Sequence, residues 1–230
     1  MKENLEILKE HRIFSGLSRE IIGEKILTHG RIKRFAEGEY VIHPQDEVDE
    51  IGIVLEGELH NVQIFFDGNY SLMDVLEPSY VVAADLICTE SRLSPYFIVA
   101  KKESSVMFLP SWIFLTGRVL SEQERLSVMN GLLTFVSHEN MRRYFKIAIL
   151  SKKGLRDRIM TYLSMQSVRQ GVKTFKIPFS RETLAAFLCV NRSALSHELS
   201  LMEQEGLISF RKNEFTILVP MEPDGINFIG

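Results

Sequence analysis

Apolar residues along this chain change their period twice, and the changes mark out its parts. Residues 1–30 read as short helical pieces. Leu5, Leu8 and Ile13-Phe14 form one apolar stripe, and Leu17-Ser18-Arg19-Glu20 opens a second helix carrying Ile21, Ile22 and Ile26. From Arg31 to about Leu109 the period drops to two, with Ile51, Ile53 and Leu55 in one run and Val62, Ile64 and Phe66 in another. Glu37-Gly38, Glu56-Gly57 and Asp67-Gly68 punctuate these runs, and Asp-Gly between apolar strands is a hairpin signal. Short strands at regular spacing predict a small barrel or roll. Between Pro78 and Arg92 the stretch VVAADLICTE predicts a short helical interruption.

Beyond Pro110 the period is helical. Leu126, Met129, Leu133, Val136, Asn140, Arg143, Ile147 and Leu150 follow one another at alternating steps of three and four, an a/d seam over about four heptads. Asn140 falls at an a position, where a lone asparagine fixes register at some cost in stability, and Arg143 weakens a d position. The seam favours a two-helix interface between subunits; a long helix packed on its own domain is the plainer alternative. A second helix runs from about Gly154 to Ser167, with Leu155, Ile159, Tyr162 and Leu163 on one face.

Residues 179–208 then read as two short helices about a tight turn. Ser180 is an N-cap residue for the first, whose apolar face carries Leu184, Ala185 and Leu188. Cys189-Val190-Asn191 breaks the pattern, and Asn191 caps the second. Leu195, Leu199 and Met202 fall on one face of that helix; Arg192, Ser193, Ser196, His197 and Ser200 fall opposite. A short polar face rich in donors at a helix N-terminus is the part of a helix-turn-helix that meets base edges in the major groove. Gly206 ends the helix, and Ile208 to Val219 reads as two strands about Arg211-Lys212-Asn213-Glu214, a wing with a basic tip.

Charge sharpens this division. The net charge of −3 hides an asymmetry: residues 1–120 hold 12 Lys and Arg against 19 Asp and Glu, whereas residues 141–213 hold 14 against 5. A basic module beside an acidic one is the footprint of a chain in which one domain meets the phosphate backbone. No apolar run approaches a membrane span, and the charged start MKENLEILKEHR carries no secretory signal, so a cytoplasmic protein is expected. Cys88 and Cys189 have no metal-ligand spacing and are expected to be buried small hydrophobes.

A roll behind N-terminal helices, a long dimerising helix and a C-terminal winged helix-turn-helix, in that order, resembles the cyclic-AMP-receptor and fumarate–nitrate-reduction (Crp/Fnr) superfamily of bacterial regulators. The resemblance runs from Phe14-Ser15-Gly16-Leu17 through the roll segment GEYVIHPQDEVDEIGIVLEGEL to the Leu184–Ile208 motif, which is its most specific block. It implies an α+β fold: an N-terminal cyclic-nucleotide-binding-like β-roll (a double-stranded β-helix) over residues 1–120, a dimerisation helix over 121–150, and a winged helix-turn-helix over 151–230. It further implies a homodimeric, effector-gated transcription regulator that binds palindromic double-stranded DNA and touches RNA polymerase.

Carried over position by position, the family's base-reading pattern Arg-Glu-x-x-x-Arg falls on Arg192, Ser193 and His197, with Ser196 on the same face. Arg192 keeps the residue able to bind guanine O6 and N7 bidentately. Ser193 stands where an acid is usual and His197 where an arginine is usual, so the half-site sequence stays open. Ser180, Arg181 and Lys212 are candidates for phosphate contact.

The sensing side departs further. Cyclic-nucleotide-binding members hold phosphate with a Gly-Glu pair in a helical cassette and an arginine on the next strand. Here Glu77 to Leu86 and Ser94-Pro95-Tyr96 lack those residues in register, and Arg92 is the one cation nearby. A desolvated phosphate needs a paired cation, which argues against cyclic AMP. Two cysteines exclude a four-thiolate iron–sulfur cluster. His43 and His60 are the remaining candidates for haem ligation, against a plainer role as ordinary surface or half-buried residues. Tyr80, Val82, Leu86, Tyr96 and Phe97 outline an apolar, aromatic-leaning pocket suited to a small hydrophobic or aromatic acid, with Arg92 as its carboxylate partner; the competing reading is that they fill the core. The effector is left unidentified. An alternative function is a ligand- or partner-binding scaffold that no longer reads DNA. No clustered metal ligands or nucleophile–base pair point to an enzyme.

Overall fold

The structure, a computed structural model, describes residues 6–9, 11–64 and 70–219. Leu5, Phe66 and the Asp67-Gly68 turn lie outside them. The chain divides into two compact units, residues 1–141 and 142–230. The first opens with a tight turn at Arg12–Phe14 and then α1 (Arg19–Ile21), capped by Ser18 Oγ, which accepts from the Ile21 N–H at 3.3 Å. α1 widens over Ile22–Ile26 and tightens again over Leu27–His29, burying Ile22 and Ile26.

The period-two region forms β1 (Arg31–Phe35), β2 (Tyr40–Ile42), β3 (Glu50–Glu56), β4 (Leu59–Ile64), β5 (Tyr70–Leu76), β6 (Val81–Val82), β7 (Phe97–Ala100) and β8 (Ser104–Pro110). They pair antiparallel in two sheets, ordered β1-β8-β3-β6 and β2-β7-β4-β5. The central strands of the first sheet, β3 and β8, are buried on both faces, and the pleat sorts their side chains. Ile51, Ile53, Leu55, Met107 and Leu109 join the helices in one core, while Val54, Val106 and Phe108 join Leu59, Ile98 and Ala100 in the roll interior. A strand that serves two cores reads as a nearly continuous apolar run, as β3 does.

The stretch VVAADLICTE corrects the helical expectation. Val81 and Val82 pair with β3 as β6, and the chain then turns repeatedly, with Ala83 at φ 63° and Arg92 at φ 51°. Two left-handed residues are incompatible with a continuing helix. The segment's apolar residues are buried as turns instead: Ala84, Leu86 and Ile87 each expose 5% or less.

After α2 (Trp112–Leu115) comes α3 (Glu122–Leu150). In the first unit α3 buries Val128 and Leu132 against Ile13 and Phe14. Contact is close at Gly131, where a Cβ would stand 2.6 Å from the backbone of Ile13, so any larger residue must push the two segments apart. In the second unit its last turns supply Ile149 to the core, and Lys146 Nζ lies 4.7 Å from the Phe187 ring centroid. That unit continues with α4 (Leu155–Gln170), β9 (Thr174–Lys176), α5 (Arg181–Phe187), α6 (Arg192–Gln204), β10 (Ile208–Arg211) and β11 (Glu214–Ile217). Its three strands form one antiparallel sheet, ordered β10-β11-β9.

Candidate nucleic-acid interface

The two short helices meet through side-chain caps. Ser180 Oγ accepts from the Thr183 N–H at 3.1 Å and starts α5. Asn191 Oδ1 accepts from the Ala194 N–H at 2.7 Å and starts α6, satisfying one of the donors a helix leaves unpaired at its N-terminus. Between them Cys189 adopts φ 56° to reverse the chain. α6 buries Leu195, Leu199 and Met202 completely, and that apolar stripe fixes which side faces out. Arg192, Ser193 and His197 are exposed on the opposite face, with Ser196 half-buried among them. The structure thus brings together all four residues expected to read bases.

Arg156 on α4 fixes the other end of α6. Its Nε donates to Glu198 Oε1 at 2.7 Å, and its Nη1 and Nη2 donate to the two oxygens of Glu205 at 2.6 and 2.9 Å. These bonds, first to Glu205 and then to Glu198, push the Arg156 pKa further up. A planar fork holding two carboxylates of one helix sets that helix's rotation, which a lysine would not do.

The wing hairpin packs beside α5. Phe210 and Phe215 are cross-strand partners with ring centroids 5.7 Å apart. The Arg181 guanidinium lies 4.9 Å from the first ring centroid and 5.6 Å from the second, and donates to the Lys212 carbonyl at 3.3 Å. Burial, and secondarily the charge of Arg192, holds its pKa below the usual guanidinium value. Asn213 pins the tip from the other side: its Nδ2 donates to the Ile177 carbonyl, and its carbonyl accepts from the Ile177 N–H, both at 2.9 Å. Lys212 stands exposed at the tip with φ 58°. Of the three phosphate candidates, Lys212 projects freely, Ser180 is engaged in its cap, and the Arg181 head group is occupied within the protein.

In the roll, Val82 and Leu86 are buried in one cluster with Tyr80 and Tyr96 at its edge. Arg92 stands apart and pairs with Asp49, so its guanidinium is committed away from that cluster. The phenols meet carboxylates: Tyr96 donates to Asp85 at 2.9 Å, and the Tyr80 hydroxyl contacts Asp74 at 3.2 Å and also Glu139 of α3. Phe97 instead meets Tyr40 at a tilt, ring centroids 5.5 Å apart, and the exposed His43 edge-on at 5.9 Å. His60 is buried, with Nε2 2.8 Å from Glu58 Oε1. Among the described residues, no three His, Cys, Asp or Glu side chains are grouped to hold a metal ion.

Residues 157–221 match the Crp-like helix-turn-helix domain, and residues 32–116 match the cyclic nucleotide-binding domain. Together the matches take in more than half of the chain. The chain belongs to the Crp/Fnr superfamily. Solved structures of similar fold include the c-di-GMP-responsive global regulator CLP of Xanthomonas campestris, with a TM-score of 0.66 and 15% identity over 84% of this chain and 96% of that one. FixK2 of Bradyrhizobium japonicum gives a TM-score of 0.61 and 16% identity over 82% and 92%. TTHB099 of Thermus thermophilus, a transcriptional regulator of the CRP family, gives 0.55 and 21% over 81% and 92%. No curated protein sequence matches the chain.

As a Crp/Fnr-type transcription regulator, the chain couples a DNA-binding helix-turn-helix to an effector-type roll. This superfamily consists of regulators and not of enzymes. Among the described residues no helix is long and apolar enough to cross a membrane. Two expectations about thiols are corrected, since Cys88 and Cys189 are both exposed. Each sits in a turn directly after a buried residue, Ile87 or Leu188, and it is that neighbour which the turn directs into the core. Sequence reasoning also missed Arg156, Asp74 and Glu139. Their partners lie 6 to 59 positions away across different elements, and only the fold brings them together.

Proposed function

We propose that this regulator works as a homodimer whose two reading helices address a palindromic duplex, gated by a signal in the roll other than a cyclic nucleotide. One observation carries the reading. On α3, Leu126, Leu133 and Ile147 are 61%, 66% and 66% exposed, and Asn140, also exposed, shares their heptad position. The back of the helix is already covered, since Val128 and Leu132 are buried. Covering a large aliphatic side chain contributes about 1.5–3 kcal/mol, so a second copy of this stripe is a natural occupant. Met129 and Val136, at the alternate positions, are half-buried against the first unit's core and support the seam from beneath.

The signal has a short route to that helix. The Tyr80 hydroxyl bonds Glu139 of α3, and its ring meets Phe135 edge-on at 5.5 Å. Movement of the β5–β6 turn therefore bears directly on α3. Commitment of Arg92 to Asp49 supports a signal without an anionic phosphate. To act at all, the signal must favour the DNA-competent state over the other.

Selection from a random duplex pool, with and without a small-molecule cell extract, tests the proposal. An enriched palindrome that requires extract is the expected outcome. Absence of enrichment under both conditions overturns it and leaves a scaffold that does not read sequence.

A further inference from the structure

Ser193 stands where the family pattern has an acid, and the hydrogen bonds around it decide what it offers a base. Asn191 Oδ1 accepts from the backbone N–H of Ala194 at 2.7 Å. A backbone N–H can only donate, so the amide atom turned toward it is the oxygen and not the nitrogen. The Ser193 hydroxyl lies 2.8 Å from that same oxygen. Between a hydroxyl and a carbonyl oxygen only the hydroxyl has a proton to give, so Ser193 donates to Asn191. Its proton is thereby directed back into the helix cap, and its lone pairs are what remain for a ligand. Ser193 is exposed at the second position of α6, beside Arg192, which has donors and no acceptor.

We propose that Ser193 is a specificity-determining residue that reads an exocyclic amino group, on cytosine N4 or adenine N6, because Asn191 fixes it as an acceptor. The serine then keeps the polarity of the acid usual at this position, without its charge. In the major groove cytosine and adenine present an amino donor, whereas guanine O6 and thymine O4 are acceptors that would face the serine lone pairs. Turning the hydroxyl round to serve those bases would break the bond to Asn191, which sets the discrimination at roughly five- to tenfold. The inference rests on the proposed reading of DNA by this face.

The test compares duplex pools selected by the wild-type regulator, Asn191→Ala, Asn191→Asp and Ser193→Ala. Wild type should enrich cytosine or adenine over guanine and thymine at one column of each half-site, by roughly five- to tenfold. Asn191→Asp, which retains an acceptor for the serine proton, should keep that column. Asn191→Ala frees the hydroxyl to donate or accept, so the column should flatten while the column read by Arg192 persists. Ser193→Ala should flatten it as well. A merely structural role for Asn191 as a cap would lower affinity evenly at all columns and leave the base preference intact; that result overturns the inference, as does an unchanged column in Ser193→Ala. Failure of the wild type to enrich any sequence refutes the DNA reading itself and removes this inference with it.

Discussion

Tyr162 sits in the core of the second unit with 3% of its surface exposed, between Phe179 at 5.8 Å and Phe187 at 5.5 Å. Its hydroxyl is buried and has no hydrogen-bond partner among the described residues, and burial pushes its pKa up. Burying a hydroxyl without a partner costs about 1–3 kcal/mol. Tyr162→Phe should therefore leave stability unchanged or raise it by up to about 1 kcal/mol in urea unfolding; a clear loss would mean that the hydroxyl has a partner. His60 carries a pH dependence. Burial lowers its pKa below 6.5, and the bond to Glu58 only partly offsets this; His11 is lowered by burial too. The folded state then binds fewer protons than the unfolded state just below pH 6.5, so stability is full above that value and falls as acid is added. For Glu58 burial raises the pKa, but bonds from Lys102 and His60 outweigh it and leave the pKa lowered, so its contribution also fades in acid. Thermal unfolding should show the first unit less stable at pH 5.5 than at 7.5, with a flatter profile in His60→Gln. A profile equally steep in that variant would assign the loss to other groups.

Elements were legible in the sequence where their cause is local. Ser180 and Asn191 cap the helices they were expected to cap, because cap chemistry needs only the next three residues. β3 alternates as its period implied, with Ile51, Ile53 and Leu55 in one core, although its other face is buried too. Elements were illegible where the cause lies elsewhere in the chain. The stretch after Val82 has a helix-like composition, but the left-handed conformations of Ala83 and Arg92 turn it. Arg156 is one of many basic residues in its region until Glu198 of α6 and its C-cap Glu205 come round to it. The effector pocket expectation met the same limit: Arg92 was placed with the aromatic residues by proximity in sequence, and it pairs with Asp49, 43 positions away. A Cβ at position 131 would lie 2.6 Å from the Cα and carbonyl oxygen of Ile13, and backbone cannot swing aside as a side chain does. Alanine gains about 1 kcal/mol in helix propensity over glycine, yet overpacking costs about 1–3 kcal/mol. Gly131→Ala should thus destabilise the first unit by about 1 kcal/mol, read by urea unfolding, and stabilisation would show that α3 stands off the N-terminal turn.

At the scale of the whole molecule the parts have separate duties. The roll buries its aromatic and aliphatic interior, α3 carries an exposed apolar stripe along its length, and the second unit presents a capped reading helix beside a pinned wing. The acidic first unit and basic window 141–213 agree with this division, since only the latter has to meet phosphate. If the stripe is the seam, Leu133→Glu places like charges opposite each other in the dimer. Sedimentation equilibrium should then show association weakened by roughly two powers of ten, with DNA binding lost in parallel; an unaltered dimer would place the interface elsewhere. In the proposed dimer, paired α3 helices hold the two reading helices at a fixed separation. Binding affinity to the selected palindrome, measured as base pairs are inserted one at a time between its half-sites, tests this most directly. Tight binding is expected at a centre-to-centre spacing of about one helical turn, near 34 Å, with steep loss when half a turn is added. Equal affinity at every spacing would contradict it, because each reading helix would then be binding on its own.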